Sequence, residues 1–154
     1  MPDAEPRPQR TGAGGRAAEK LECRMLPGDA VTRRYAQASG DLNPIHVDDD
    51  AARAVGLPRT ILHGMWTLAQ AARVISAAGG GPLSLKLLSV QFRGYGFPDE
   101  ELVIEGAGTC APDVPAIGGR LVGRVEFTAR QGERVLLAGG VAELAPPSAV
   151  TLRS

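Results

Sequence analysis

Between residues 83 and 144 apolar residues recur at every second position, and between 63 and 78 they crowd nearly every position. The first pattern predicts half-buried strands, the second a helix covered on most sides. Leu83, Leu85 and Leu87 alternate, then Leu88, Val90 and Phe92 alternate in the opposite phase, which predicts a bulge near Leu87-Leu88. Leu102, Ile104, Gly106 and Gly108 share one face of a second strand, and Leu121, Gly123, Val125 and Phe127 one face of a third. Gln131-Gly132 turns the chain into a fourth strand, Arg134–Leu144.

The covered helix starts at His63-Gly64 and runs to Ala78, where Gly79-Gly80-Gly81-Pro82 stops it. Its polar residues Thr67, Gln70, Arg73 and Ser76 leave only a narrow polar stripe. Upstream, Lys20–Leu26 reads as a short strand and Pro27-Gly28 as a turn. Asp29 or Thr32 then caps a helix to Ala38, with Tyr35 on its core face. Asp48-Asp49-Asp50 opens a short helix through Val55, with three acids at the positive end of its dipole, and Gly56 with Pro58 ends it. One buried helix followed by an antiparallel meander implies an α+β fold, a sheet wrapped around that helix. Residues 1–18 lack an apolar period and read as a flexible tail, and 146–154 as a loose end, which leaves a single domain over 19–145.

Composition narrows the function. Lys plus Arg and Asp plus Glu stand at 17 each, so no net field draws the chain to nucleic acid or to a membrane surface. No apolar run is long enough to span a bilayer, and the first residues lack the apolar core of a secretory signal. The two cysteines, Cys23 and Cys110, form no metal-type cluster and read as reduced thiols of a cytoplasmic protein. Aromatic residues make up only 4% of the chain, so aliphatic side chains must fill the core.

The chemistry concentrates in Ser39-Gly40-Asp41-Leu42-Asn43-Pro44-Ile45-His46 and His63-Gly64-Met65, which hold both histidines of the chain. Asn43-Pro44 supplies a turn that lets the Asp41 carboxylate and the His46 imidazole converge. Such a pair suits adding water to a double bond conjugated to a carbonyl, or removing it. A Gly at a helix start offers a bare N–H to an oxygen that gains negative charge. Each residue also has a plain structural reading. Asp41 serves equally as a cap or turn residue, His46 as a satisfied core histidine, Asn43 as a turn former and Gly64 as a packing glycine. Trp66 packs in the core or lines a pocket. His46-x-Asp48-Asp49-Asp50 matches no usual ligand spacing, so no metal is expected. Gly79-Gly80-Gly81 lacks the Gly-Lys-Ser/Thr of a phosphate loop, so no nucleotide cofactor is expected either.

The run from Tyr35 to Ile75 resembles the MaoC-like hydratases and dehydratases, the (R)-specific enoyl-thioester hydratases of the hot dog fold. The resemblance is carried by Ser39-Gly40-Asp41-x-Asn43-Pro44-Ile45-His46-x-Asp48, then Ala54-x-Gly56-Leu57, then Ile61-x-His63-Gly64-Met65. The strand region is similar in layout only. Val90-Gln91-Phe92 is present, but the proline and the Pro-Gly-Asp turn that often follow in the family are replaced by residues 93–100, a region that often borders the acyl tunnel.

The resemblance implies a hot dog dimer, most simply a homodimer or else a heterodimer with a related subunit, with active sites near the interface. It implies an acyl thioester substrate on coenzyme A or an acyl carrier protein, and no cofactor. Asp41 and His46 would be the acid–base pair, and Gly64, Asn43, His63 and Ser39 would contact substrate. Two rivals share the fold: a non-catalytic hot dog subunit, and a hot dog thioesterase, which lacks this signature.

Overall fold

Alternating burial along the strands sets one face of a sheet against a single long helix. In the computed structural model, which describes residues 18–110 and 121–145, the strands are β1 (Glu19–Met25), β2 (Leu85–Phe92), β3 (Leu102–Cys110), β4 (Leu121–Gln131) and β5 (Arg134–Leu144). They form one antiparallel sheet in the order β1-β3-β4-β5-β2. The helices are α1 (Val31–Ser39), α2 (Asp49–Ala54) and α3 (Gly64–Ala78). The last of these packs against strands β1, β2, β4 and β5, and this is the hot dog arrangement expected of the sequence. The expected tail, apart from residue 18, and the expected loose end at 146–154 lie outside the described residues.

The core is mostly aliphatic, with Phe127 buried in it and Trp66 packed against it. Ile75 of α3, Leu102 and Ile104 of β3, Val125 of β4 and Leu137 of β5 belong to one core cluster and are all fully buried. Each such side chain contributes about 1.5–3 kcal/mol by leaving water. In β1 only Leu21, Cys23 and Met25 turn inward, the alternation of a strand with one covered face.

Several local expectations are corrected. Neither Asp29 nor Thr32 caps α1: the N-cap is Ala30 with no side-chain cap, and Thr32 is buried instead. Asp48 sits one residue before α2 as its N-cap, its carboxylate accepting from the N–H groups of Asp50 and Ala51, so only Asp49 and Asp50 occupy the first turn. Leu83 belongs to a 3-10 turn over Pro82–Ser84, and the register slips of β2 fall between Leu85 and Leu87 and between Ser89 and Gln91, on either side of Leu87-Leu88. The polar stripe of α3 is only half real. Gln70 and Arg73 are accessible, but Thr67 and Ser76 are buried while Met65 is exposed. Thr67 and Ser76 face inward because that side of α3 meets the sheet and the loops beyond it. Tyr35 and Trp66 are half-buried, the first against His63 and the second against the aliphatic core.

Candidate active site

The Ser-Gly-Asp-x-Asn-Pro-x-His run is a cascade of local turns. Gly40 closes α1 at φ 79°, a left-handed conformation that favours glycine, and its N–H returns to the Ala36 carbonyl. Ser39 Oγ then accepts from the Asp41 N–H (3.2 Å), Asp41 Oδ1 from the Asn43 N–H (3.3 Å), and Asn43 Oδ1 from the Ile45 N–H (3.3 Å). Short polar side chains at alternate positions each catch the amide two residues on. Pro44 starts a 3-10 turn with its φ already set, and that turn ends on His46. The turn reading of Asp41 is the one these bonds show. One carboxylate oxygen shapes the loop and the other remains available on an exposed residue.

His46 is buried at 8% exposure, and its Nδ1 lies 2.8 Å from the Ile61 carbonyl oxygen. A carbonyl only accepts, so Nδ1 carries the hydrogen and Nε2 of the neutral ring is a bare base. The Ile61 N–H in turn donates to the Ile45 carbonyl, which locks the two segments together. Burial is the largest influence on His46 and pushes its pKa below the ordinary 6.5; His63 pushes the same way, while the Ile61 carbonyl and Asp41 push back. With only two histidines in the chain, ring titration by NMR resolves each of them. The His46 midpoint is expected below 6.5, leaving a neutral base at pH 7, and a midpoint at or above 6.5 would contradict this account.

His63 is the N-cap of α3 and is only 2% exposed. Its ring stacks on His46 with centroids 3.8 Å apart, and its Nε2 donates to the Asp41 main-chain oxygen at 3.1 Å. Its Nδ1 is buried without a hydrogen-bond partner among the described residues. The ring is enclosed behind His46. The Ser39 hydroxyl donates to the Tyr35 carbonyl at 2.7 Å and accepts from the Asp41 N–H. Asn43 spends its oxygen on the turn and keeps its amide NH2 free to reach a ligand, on an exposed residue.

Asp41, His46 and His63 bring one oxygen and two ring nitrogens within 4.8 Å of one another. This does not suit a metal ion. Rings stacked 23° from parallel send their lone pairs along nearly parallel planes, whereas a shared ion needs both to converge at about 2.0–2.1 Å. The spacing does suit a water or hydroxyl held between carboxylate and imidazole.

Beside this cluster lies a cavity of about 180 Å3, walled by His46, Gly64, Thr67, Phe92, Gly96 and Leu136 among others. Gly64 is the first residue of α3, so its N–H has no intrahelical acceptor. A Cβ there would sit 3.1 Å from the Phe92 ring, so the glycine serves close packing as well as access. A larger open hollow of about 730 Å3, with Lys20, Glu22, Glu105 and Arg124 on its rim, lies across β1, β3, β4 and β5 and contains neither histidine. Of the two, the smaller is the one that touches His46.

A family model described as the MaoC like domain matches residues 10–109. The chain belongs to the MaoC-like hydratase and dehydratase family. The peroxisomal enoyl-CoA hydratase 2 of Arabidopsis thaliana is 40% identical over 86 residues, which are 54% of this chain and 27% of that protein. The fatty acid synthase beta subunit hexB of Dothistroma septosporum is 34% identical over 115 residues, 73% of this chain and 6% of that protein. The R-hydratase PhaJ1 from Pseudomonas aeruginosa has a similar fold at a TM-score of 0.59 with 25% identity, covering 84% of this chain and 81% of that one. The chain thus spans about a quarter or less of the length of these two curated relatives.

Within the MaoC-like domain, sequence reasoning missed Thr67, Leu136 and Leu137 as cavity walls and Gln131 as the residue that ties down the neighbouring loop. One signal was available. Leu136-Leu137 breaks the alternation of β5, and the pairing slips there, Ala129 facing Leu137 and Arg130 facing Val135, so that Leu136 is the extra residue of a bulge.

Proposed function

We propose that this chain catalyses the reversible addition of water to a trans-2-enoyl thioester, giving an (R)-3-hydroxyacyl thioester carried on coenzyme A or an acyl carrier protein. The observation that carries the reading is the approach of the Asp41 carboxylate and the His46 ring within 4.8 Å, beside a cavity opened by the bare start of α3. In the dehydration direction the His46 Nε2 lone pair removes the α-proton. The Gly64 N–H holds the thioester oxygen as it gains charge. The β-hydroxyl takes its proton from the Asp41 carboxyl and leaves as water, and the proton on His46 then passes to Asp41, so that both side chains end as they began. Hydration is the reverse, and the duties of Asp41 and His46 are shared or exchanged without changing the sum. The Asn43 amide is placed to hold the hydroxyl or water.

The test is to add purified protein to enoyl-CoA and follow the loss of the conjugated absorbance, with a parallel assay for free thiol. Loss of absorbance without thiol release is hydration. Thiol release would make the chain a thioesterase, and no change in either signal would leave it a non-catalytic subunit.

In this reading His63 is a positioning residue. His63→Leu keeps the bulk but removes the bond to the Asp41 main chain, so kcat should fall about 100-fold with KM little changed, the usual consequence of a displaced reacting group. A proportional rise in KM would instead make His63 a binding residue.

The same reading includes a two-fold dimer in a cytoplasmic protein. β2 is an edge strand, and its Leu87 and Phe92 are 44% and 51% exposed. A second copy laid along that edge would cover both residues and close the mouth of the cavity at Phe92. Cys23 is a free thiol, as a reducing compartment requires, and no helix among the described residues is long and apolar enough to cross a membrane. Light scattering should give twice the chain mass. A fully active monomer would contradict the interface, and an inactive monomer rescued by a related hot dog chain would make the pair a heterodimer.

A further inference from the structure

The cavity beside His46 is walled by packed side chains that hold one another in place. Leu136 and Leu62, 2% and 3% exposed, are buried walls of it. Gly96 lies between them so tightly that a Cβ there would meet Leu136 at 2.5 Å and Leu62 at 3.2 Å. The wall is also fastened. The Leu62 N–H donates to the Gly96 carbonyl at 2.8 Å, and the Arg93 N–H to the Leu136 carbonyl at 2.9 Å. Phe97, one residue on, is gripped through both its N–H and its carbonyl by the Gln131 side chain. The guanidinium groups of Arg59 and Arg134 lie 4.1 and 4.8 Å from its ring, and both arginines pair with Glu100. A wall held from backbone, side chain and ring does not swing aside for a longer ligand.

Size then decides. A cavity of about 150 Å3 lined by apolar side chains takes up benzene. On that scale about 180 Å3 holds roughly seven carbons, and some of that space belongs to the reacting carbons at His46. We propose that this narrow slot, walled by Leu62, Gly96 and Leu136, restricts the enzyme to short acyl thioesters of about four to six carbons and excludes those of about eight or more. This rests on the hydration reading of the same site.

The experiment compares kcat/KM for crotonyl-, hexenoyl-, octenoyl- and dodecenoyl-CoA in the natural chain, in Leu136→Ala and in the gentler Leu136→Val. Crotonyl- and hexenoyl-CoA should agree within about tenfold, and octenoyl-CoA should fall at least about 100-fold below them, because an overfilled slot discriminates by tens of fold per methylene. The octenoyl-to-crotonyl ratio should rise at least about tenfold in Leu136→Ala and by less in Leu136→Val, in the order of the space released. Equal turnover of octenoyl- and crotonyl-CoA by the natural chain would overturn the proposal, as would a ratio unmoved in a folded Leu136 variant. If no enoyl-CoA is hydrated at all, the hydration reading fails. The slot is then judged by titrating butyryl- against octanoyl-CoA, where tighter binding of butyryl-CoA supports it and equal or tighter binding of octanoyl-CoA removes it.

Discussion

Asp41→Asn and His46→Gln should each lower kcat/KM for a short enoyl-CoA by about two to four powers of ten, the usual worth of a positioned acid or base. The two substitutions act differently on the loop. Asparagine at 41 keeps an oxygen for the Asn43 N–H, so the turn cascade survives and only the charge is lost. Glutamine at 46 can reach toward the Ile61 carbonyl through its NH2, replacing the bond that Nδ1 makes, but it has no nitrogen lone pair to take a proton. Melting temperatures should therefore stay close to that of the natural chain while turnover collapses. The double variant should be little worse than the worse single one, because members of one catalytic unit are not additive. Turnover within tenfold of natural in either folded single variant would end the assignment of an acid–base pair.

How much of this was legible beforehand differs between the loop and the walls. Ser39, Asp41 and Asn43 stand two residues apart, and the bonds they make reach two residues along, so the turn chemistry is local and the spacing announces it. The covered helix is legible for the same reason, since α3 is apolar on more faces than a surface helix needs. The stack of His46 on His63 joins residues 17 apart in sequence, and the cavity joins Gly64 to Leu136. No local pattern encodes those meetings, which follow from sheet order and from the path of the loop after β2. Thr67 shows how the error arises. Its hydroxyl marks it as solvent-facing in a periodicity count, yet α3 turns it toward the cavity. The bulge of β2 shows the opposite limit. Alternation places the change of phase to within a residue or two, but the partner strand β5 decides which residues slip.

Gln131→Leu should cost about 3 kcal/mol or more, because one side chain satisfies three backbone groups. Its Nε2 donates to the carbonyls of Phe97 and Glu100, both at 2.8 Å, and its Oε1 accepts from the Phe97 N–H at 2.7 Å. The residue is 2% exposed, so water does not replace those bonds without opening the loop. Each buried backbone group left unpaired costs about 1–3 kcal/mol. For a protein of this size that lowers the melting temperature by roughly 6–12 °C. Leucine fills nearly the same volume, so the loss is one of hydrogen bonding rather than of packing. Gln131→Glu separates the two kinds of bond. It retains an acceptor for the Phe97 N–H but turns an oxygen toward two carbonyls, and should be at least as damaging at neutral pH. Hydrogen exchange locates the effect. The Phe97 amide should lose protection in both variants while the amides paired between β3 and β4 keep theirs. A Gln131→Leu chain that melts within about 2 °C of the natural one would show that the 93–100 loop is held by Arg59, Arg134 and their acidic partners rather than by the buried amide.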